Sequence, residues 1–494
     1  MFRGLLLMAS FVLVATASVR GATKPVVEPL RLHPENPHYF LFRGKPTVLI
    51  GSTEHYGAII NPGFDFVTYL DTLHAAGHNL TREVNGLMFE AEEARLWRGG
   101  HQNPLSPRPG VYLGPWARSS TPGYYGGGNK FDLNRWDENY FARLKDFVRA
   151  AARRGIVVEF NAFYVMYDEG PVRGSWVLNP LNARNNVNGV GNIPWKRYCT
   201  LDDKKVVAQQ EALLRRTLNE LNEFDNVYYE IVDEPYFSGS STAETAAWQD
   251  HLIEVFVDAE RRLPNKHLIA WNYANGHSLE RRVNPHVSVM NYHYCTPPAA
   301  VPLNWHHNRA VGFDETPGIG GVLPFERRRE AWAFLMSGGA TYDNLDPSFA
   351  TDDPTGSGMI VQPDGKFDGR EVRAQLGILK SFMDGIDFVH MAPRPFFLRW
   401  EKPGNDEVYC LENPGNELVL YIKAGNKDAG PRKFVMDLVG GPQTGLPAGE
   451  WSGYWLQPRT GERTPIPAFE HQRGPRSMAT PEFAEDLALW LHRK

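Results

Sequence analysis

Cysteine is scarce in this sequence: Cys199, Cys295 and Cys410 are the three in 494 residues. That excludes a disulfide scaffold and any zinc site built from Cys-x-x-Cys pairs. One bridge at most is allowed, with three possible pairings and one thiol left over. A charge excess of either sign is lacking too. With 52 Lys and Arg against 57 Asp and Glu, the formal charge is −5. No basic field exists to hold a nucleic-acid backbone, and no acidic tract marks a basic partner. No segment reaches 18 uninterrupted apolar residues, the length at which a membrane-spanning helix would be considered. Internal repeats and low-complexity linkers are missing as well.

What the chain has in plenty is aromatic residues: 13 Trp, 20 Tyr and 27 Phe. Most such residues build core, but Trp and Tyr also make flat surfaces on which sugars or peptides stack. The hydrophobic fraction of 42% is far above that of a disordered chain and can fill at least one large core.

The start of the chain stands apart from the rest. Arg3 is its only charge, Leu5 to Ala17 is apolar, and Ala15-Thr16-Ala17 is an A-x-A cleavage pattern. This predicts a secretory signal peptide over residues 1–22, and a mature protein that is secreted or periplasmic, with no membrane partner. Asn79-Leu80-Thr81 matches a glycosylation sequon but lies in an expected buried strand.

From residue 46 onward, short β-branched and aromatic runs alternate with amphipathic stretches. Strands are expected at 46–51, 78–82, 156–160, 227–232, 267–272, 287–292, 310–313 and 339–342. Helices are expected near 64–76, 136–153, 204–221, 245–262, 325–336 and 370–383. Near-continuous apolar strands interleaved with helices imply a parallel sheet covered on its outer face. Eight such units predict an α/β fold, a (β/α)8 TIM barrel over residues 28–388. A doubly wound sheet is the alternative, because the fifth and sixth helices are weakly marked. A long Gly/Pro-rich insertion runs from Met88 to Asn134, and a β-hairpin is expected before the first strand. Beyond Val389 helical periodicity disappears, and short strands punctuated by Gly, Pro and Asn predict a β-sandwich over 389–494.

In such a barrel the C-terminal ends of the strands form the active face. The residues that close these strands are unusually polar: Glu54 and His55, Arg82, Asp233 and Glu234, Asn272, His293 and Tyr294, Glu315, Tyr342 and Asp343. Glu234 and Glu315 end strands four and seven, which face each other across the mouth. Two carboxylates about 5–5.5 Å apart suit a retaining glycosidase, one protonated as acid and the other ionised as nucleophile. Arg82 would keep the nucleophile ionised. Glu54 and His55 are placed to bind substrate. Trp176, Trp271 and Trp305 are candidate stacking residues in or beside the top-face loops.

Val232-Asp233-Glu234-Pro235 resembles the Asn-Glu-Pro signature of clan A glycoside hydrolases, the group of the cellulase-like family 5 enzymes. Arg82 on the second strand, Tyr292-His293-Tyr294 on the sixth, and the Gly44-Lys45-Pro46 turn before the first strand are similar to that family too. The resemblance covers residues 28–388, and the tail resembles the small β-sandwich that often follows such barrels. It implies that Glu234 is the acid/base, that Glu315 is the nucleophile, and that Arg82, Asp233, His293 and Tyr294 surround the sugar. Two departures are visible. The Asn that meets the sugar 2-hydroxyl is Asp233 here, which can only accept when ionised. The platform Trp of the eighth strand has Tyr342 as its nearest counterpart.

The expectation is a secreted retaining glycoside hydrolase, monomeric, using no metal or cofactor, with a carbohydrate as its partner. A barrel that binds carbohydrate without cleaving it is the alternative, kept open by Asp233. A metal-dependent amidohydrolase ranks last, since the first strand offers His55 alone instead of a His-x-His pair.

Overall fold

Eight runs of β-branched, aromatic and small residues pair side by side, all parallel, in the order expected of a barrel. The computed structural model describes residues 28–494 apart from 88–102, 109, 167–174, 277, 317–323, 363–364, 395–396, 400–404, 426–429, 441–445 and 473. The segment expected to be a signal peptide lies outside the described residues. Among those described, no helix is long and apolar enough to cross a membrane.

The barrel strands are β1 (Leu49–Ile50), β2 (Leu80–Val84), β3 (Val157–Asn161), β4 (Val227–Glu230), β5 (Ile269–Asn275), β6 (Val287–His293), β7 (Ala310–Glu315) and β8 (Thr341–Tyr342). They form one sheet in the order β1-β8-β7-β6-β5-β4-β3-β2. Asn79 joins its two ends. Its backbone N–H donates to the Ile50 carbonyl (3.1 Å). Its side chain accepts from the Ile50 N–H (2.9 Å) and donates to the Val48 carbonyl (2.9 Å). The sequon asparagine is thus a seam residue of the barrel.

Five of the connections carry full helices or begin with one. These are α1 (Phe66–Ala75), α2 (Glu138–Arg153), α3 (Lys204–Leu221), α4 (Thr242–Arg261) and α5 (Pro324–Met336), and α6 (Gly369–Met383) follows β8. Each of the first four starts where a side chain caps it, at Asp65, Asp137, Asp203 and Ser241. The Ser241 and Glu244 pair forms a reciprocal capping box. The weakly marked connections are weak in the structure too. Among the described residues no helix follows β5, and the five-residue helix Ala300–Asn304 follows β6. The described part of the insertion between β2 and α2 contains an antiparallel hairpin, Trp116–Pro122 with Asn129–Trp136.

Beyond the barrel, β9 (Glu407–Asn413), β10 (Glu417–Lys423), β11 (Val435–Gly440), β12 (Gly449–Leu456), β13 (Arg463–His471), β14 (Arg476–Ala479) and β15 (Asp486–Arg493) make antiparallel sheets. One sheet has six strands, the short Ala392–Pro393 followed by β9-β10-β15-β12-β13. The other joins Phe397–Arg399 to β11 and β14. The run Leu418-Val419-Leu420-Tyr421-Ile422 on β10 is continuously apolar because both of its faces are covered. Leu418, Leu420 and Ile422 enter the core between the two sheets. Val419 and Tyr421 enter a core shared with the barrel. The Trp332 ring of α5, fully buried, lies between Phe382 of α6 (5.0 Å between centroids) and Tyr421 (5.4 Å). Buried Arg328, one turn before it, grips Asp486 of β15 at 2.9 and 3.0 Å. All three cysteines are buried and free, so the one permitted disulfide does not form.

Because Trp332 belongs to both parts, Trp332→Ala should destabilise the protein by about 3–5 kcal/mol, the usual cost of emptying a large aromatic site. Denaturant unfolding followed by fluorescence measures it. An unchanged midpoint would show that the barrel draws no stability from its contact with β10.

Candidate active site

Two local irregularities of backbone aim the carboxylates at the barrel mouth. After β4 the chain continues through Ile231 and Val232 to Asp233, whose N–H donates to the Phe163 carbonyl (3.1 Å). Glu234 then turns into the left-handed region at φ 50°, ψ 48°, and Pro235 opens a short 3₁₀ turn to Phe237. A non-glycine residue in that region is strained, and the following proline restricts it further. On β7 the register with β6 slips: Tyr292 faces Phe313, while His293 faces Glu315. Asp314 is therefore the extra residue of a β-bulge, which lets Asp314 and Glu315 both reach inward although neighbours on a strand normally point apart.

Arg82 stands at the centre, with no exposed surface. Its guanidinium donates to Glu315 Oε2 (2.8 Å) and Glu230 Oε1 (3.3 Å). It also bonds Asp233 Oδ1 and the Tyr56 hydroxyl. Asp314 Oδ2 (3.4 Å) and Glu159 Oε1 (3.5 Å) complete the ring. A buried guanidinium is tolerable only when its charge is compensated and its donors are used. Beneath it, Asn291 Nδ2 ties Glu159 (2.9 Å) to Glu230 (2.6 Å). Burial first, and then the charge of Asp314, push Glu159 and Glu230 well above the usual carboxylate range. Those two therefore favour the neutral form, which relieves the negative surplus. Burial works to raise Asp233 as well, but the Arg82 charge and the His293 bond outweigh it and leave Asp233 below the ordinary value.

Glu234 and Glu315 are each about 5% exposed, so both touch the mouth. One phenol spans them: the Tyr294 hydroxyl lies 3.1 Å from Glu315 Oε1 and 3.5 Å from Glu234 Oε1. His293 Nδ1 reaches the same two atoms, at 3.1 Å from Glu234 and 3.7 Å from Glu315. Burial raises the Glu234 pKa and the nearby Glu315 charge adds to this, while the His293 bond opposes it; the net direction is upward. For His293, burial alone would lower the pKa. The charges of Glu315 and Asp314, with bonds to Asp233 and Glu234, overcome it and hold the imidazole well above its usual value.

The residues singled out in the sequence separate into three groups. Arg82, Asp233, Glu234, His293, Tyr294 and Glu315 come together in one network. Within it, Arg82, Asp233 and His293 have no exposed surface, Glu234 and Glu315 have a little, and Tyr294 is the most exposed. Asp233, expected against the sugar, is turned inward as a partner of Arg82. His55 is close by at the mouth, its ring edge-on to Tyr56 at 5.2 Å. Glu54, Trp271 and Tyr342 lie elsewhere and correct the expectation that they bind substrate. Glu54 is fully buried and accepts from the N–H groups of Gly57 (2.8 Å) and Ala58 (3.0 Å), a loop-holding role. Tyr342 points away from the lumen, donating to the Arg327 carbonyl (3.1 Å). Strand alternation puts Trp271 opposite the inward Asn272, where it stacks on Tyr273 at 5.7 Å.

Two further stacking candidates are also structural. Trp176 is buried, with its ring N–H on the Ile193 carbonyl (3.0 Å). Trp305 lies flat on His38 at 3.5 Å, beside Gly338 and so at the N-terminal end of the strands. The residues absent from the sequence reading are Tyr56, one position past Glu54-His55, and the inner layer of Glu159, Glu230 and Asn291. The alternation of β3, β4 and β6 could have exposed that layer, since two carboxyl groups and an amide stand there at inward positions. Two sets of three ionisable groups, Asp233-His293-Glu315 and Glu159-Glu230-Asp314, are close enough to hold a metal ion. Arg82 already sits against both and supplies the positive charge.

No family model matches the chain, and no curated protein matches it. Solved structures do. A Bacteroides vulgatus ATCC 8482 protein proposed to be a glycoside hydrolase superposes with a TM-score of 0.64 at 14% identity, over 96% of this chain and 84% of that one. A second structure, described as a glycoside hydrolase, gives 0.61 at 12% identity over 94% and 97% of the two chains. A family 5 glycoside hydrolase from the same Bacteroides strain gives 0.59 at 14% identity over 94% and 93%. From end to end of its described length, therefore, the chain has the fold of family 5 glycoside hydrolases, a (β/α)8 barrel followed by a β-sandwich.

Proposed function

We propose that the protein is a retaining glycoside hydrolase that cleaves O-glycosidic bonds of an oligo- or polysaccharide by double displacement. One observation supports this above the others: Glu234 and Glu315 face each other closely enough for one hydroxyl and one imidazole nitrogen to reach both. A water-wide gap of about 6.5–9.5 Å, as inverting enzymes need, fits that bridging poorly, and about 5–5.5 Å fits it well. The two environments also divide the labour. Glu234 is pushed toward its protonated form, while Glu315 lies against a permanently charged guanidinium.

In the first step a Glu315 oxygen bonds to the anomeric carbon as the glycosidic C–O bond breaks, and Glu234 gives its proton to the departing oxygen. In the second, Glu234 takes a proton from water, the water oxygen bonds to the anomeric carbon, and the Glu315 ester bond breaks. Neither step draws on a metal or cofactor. A barrel that only held carbohydrate would have no use for a strained carboxyl of raised pKa opposite a clamped carboxylate. Removal of residues 1–22 during export, giving a secreted or periplasmic monomer, belongs to the same proposal.

A panel of aryl glycosides and polysaccharides tests the activity and names the sugar. On the best substrate, Glu315→Ala should lower turnover by about 10⁴-fold or more. Added azide should restore product as a glycosyl azide of inverted anomeric configuration; undiminished turnover in this variant would sink the assignment.

The pH dependence has a defined sign. Turnover needs the Glu234 proton, and a raised pKa keeps that proton to higher pH, so kcat/KM should hold and then fall as pH rises through that value. In Glu234→Gln this alkaline limb should vanish, leaving residual activity on dinitrophenyl glycosides, whose leaving group needs no acid. A limb that survives in Glu234→Gln would assign the proton to another residue.

A further inference from the structure

Glu315 is held by two tyrosines, one on each oxygen. Tyr294 donates to Oε1 at 3.1 Å, and that oxygen faces Glu234. Oε2 points the other way, where Arg82 donates at 2.8 Å and the Tyr56 hydroxyl donates as well. Tyr56 in turn accepts from Arg82, so phenol, guanidinium and carboxylate close a triangle around Oε2. Tyr56 is 4% exposed.

The loop that delivers Tyr56 is built under strain. Tyr56 sits at φ 51°, in the left-handed region, as Glu234 and Tyr294 do. Its neighbours hold it there. The Glu54 carboxylate accepts the next two backbone N–H groups, and Asn103 Nδ2 donates to the His55 carbonyl at 2.8 Å. At Gly57 a Cβ would lie 2.3 Å from Leu105 Cβ, so the turn can pass only as glycine. Burial first, then the charges of Glu315 and Asp233, hold the Tyr56 phenol well above its usual range against the pull of Arg82, so it stays a donor.

We infer that Tyr56 is a positioning residue for the second displacement: with Arg82 it locks Oε2 as the non-reacting oxygen, leaving Oε1 to form and break the bond to the anomeric carbon. This rests on the retaining reading above. While the ester exists, Oε2 is its carbonyl oxygen. As water displaces the sugar, the C–Oε1 electron pair returns to the carboxylate, and negative charge grows on an oxygen that already has two donors aimed at it. The first displacement spends that charge and gains less from the same donors.

Tyr56→Phe should therefore slow deglycosylation selectively. On a dinitrophenyl glycoside of the preferred sugar, kcat should fall about 10- to 100-fold, the range for losing one hydrogen bond to a charged group. KM should fall with it, kcat/KM should change by less than about 3-fold, and a burst of dinitrophenol should precede steady turnover. Tyr294→Phe, which loses a donor to Oε1, should lower kcat/KM instead. Thermal midpoints of both variants are read alongside. Wild-type kcat in Tyr56→Phe overturns the inference alone. So does a parallel loss of kcat and kcat/KM without a burst, which would make Tyr56 a purely structural residue. A wild-type protein inactive on every glycoside overturns the glycosidase reading and this inference with it.

Discussion

The structure is organised around one buried positive charge. Arg82 enters the barrel from β2 with no contact to solvent, and a guanidinium cannot shed its proton to escape that cost. Everything near it answers the charge. Asp233 and Glu315 come from opposite strands, Asp314 is added by a bulge, and Glu159 and Glu230 line the layer below. The compensation of Arg82 is also what assembles the site, because two of its partners are Glu315 and the residue preceding Glu234. A substitution that removed Arg82 would leave a cluster of like charges in a low-dielectric interior, and the two carboxylates at the mouth would lose their reference point.

The same site concentrates backbone strain. Five described residues other than glycine have positive φ, and Tyr56, Glu234 and Tyr294 are three of them. Such conformations persist only where the surroundings over-determine them. Here the surroundings are hydrogen bonds with little freedom: Glu54 under the Tyr56 loop, the Phe163 carbonyl under Asp233, and the Glu315 carbonyl accepting the Tyr294 N–H at 3.0 Å. Stability comes from further away. The shared core of α5, α6 and β10, with Trp332 at its middle and Arg328 clasping Asp486, fastens the sandwich to the barrel wall. It lies on the outer side of the strands, so it imposes nothing on the lumen.

Part of the site could be read from residue order. Glu234 and Glu315 stand directly after apolar strands, and in a barrel every strand delivers its last residue to one rim. Arg82 and His293 could be read for the same reason. A place at a strand end is not sufficient to bring a side chain into the site. Tyr342 ends its strand but occupies the outward parity, and Trp271, third of the seven residues of β5, lies well before its strand's end and also faces outward; a one-residue difference in phase turns a side chain from lumen to helix layer. Tyr56 follows a strand of two paired residues and is placed by its loop, where the neighbouring His55 carbonyl accepts from Asn103, 48 positions further along, so no local pattern marks it. The aromatic surplus is mainly core: Trp116, Trp248, Trp332 and Trp451 are among the largest fully buried side chains.

The sequence by itself determined the class of architecture, strands alternating with helices and then an all-β tail, because strand and helix periods, caps and glycine stops are local properties; closure into a barrel rather than a doubly wound sheet came from the pairing of the strands. It also determined that Arg82, Glu234, His293 and Glu315 stand at the strand ends. Tertiary structure alone decided what those groups do to one another. The bulge at Asp314 turns Glu315 inward, the left-handed turn at Glu234 presents its carboxyl, and burial raises the pKa of Glu234 beside a second carboxylate that faces Arg82. Those outcomes depend on distance and desolvation between residues far apart in the chain, and no periodicity along it encodes either.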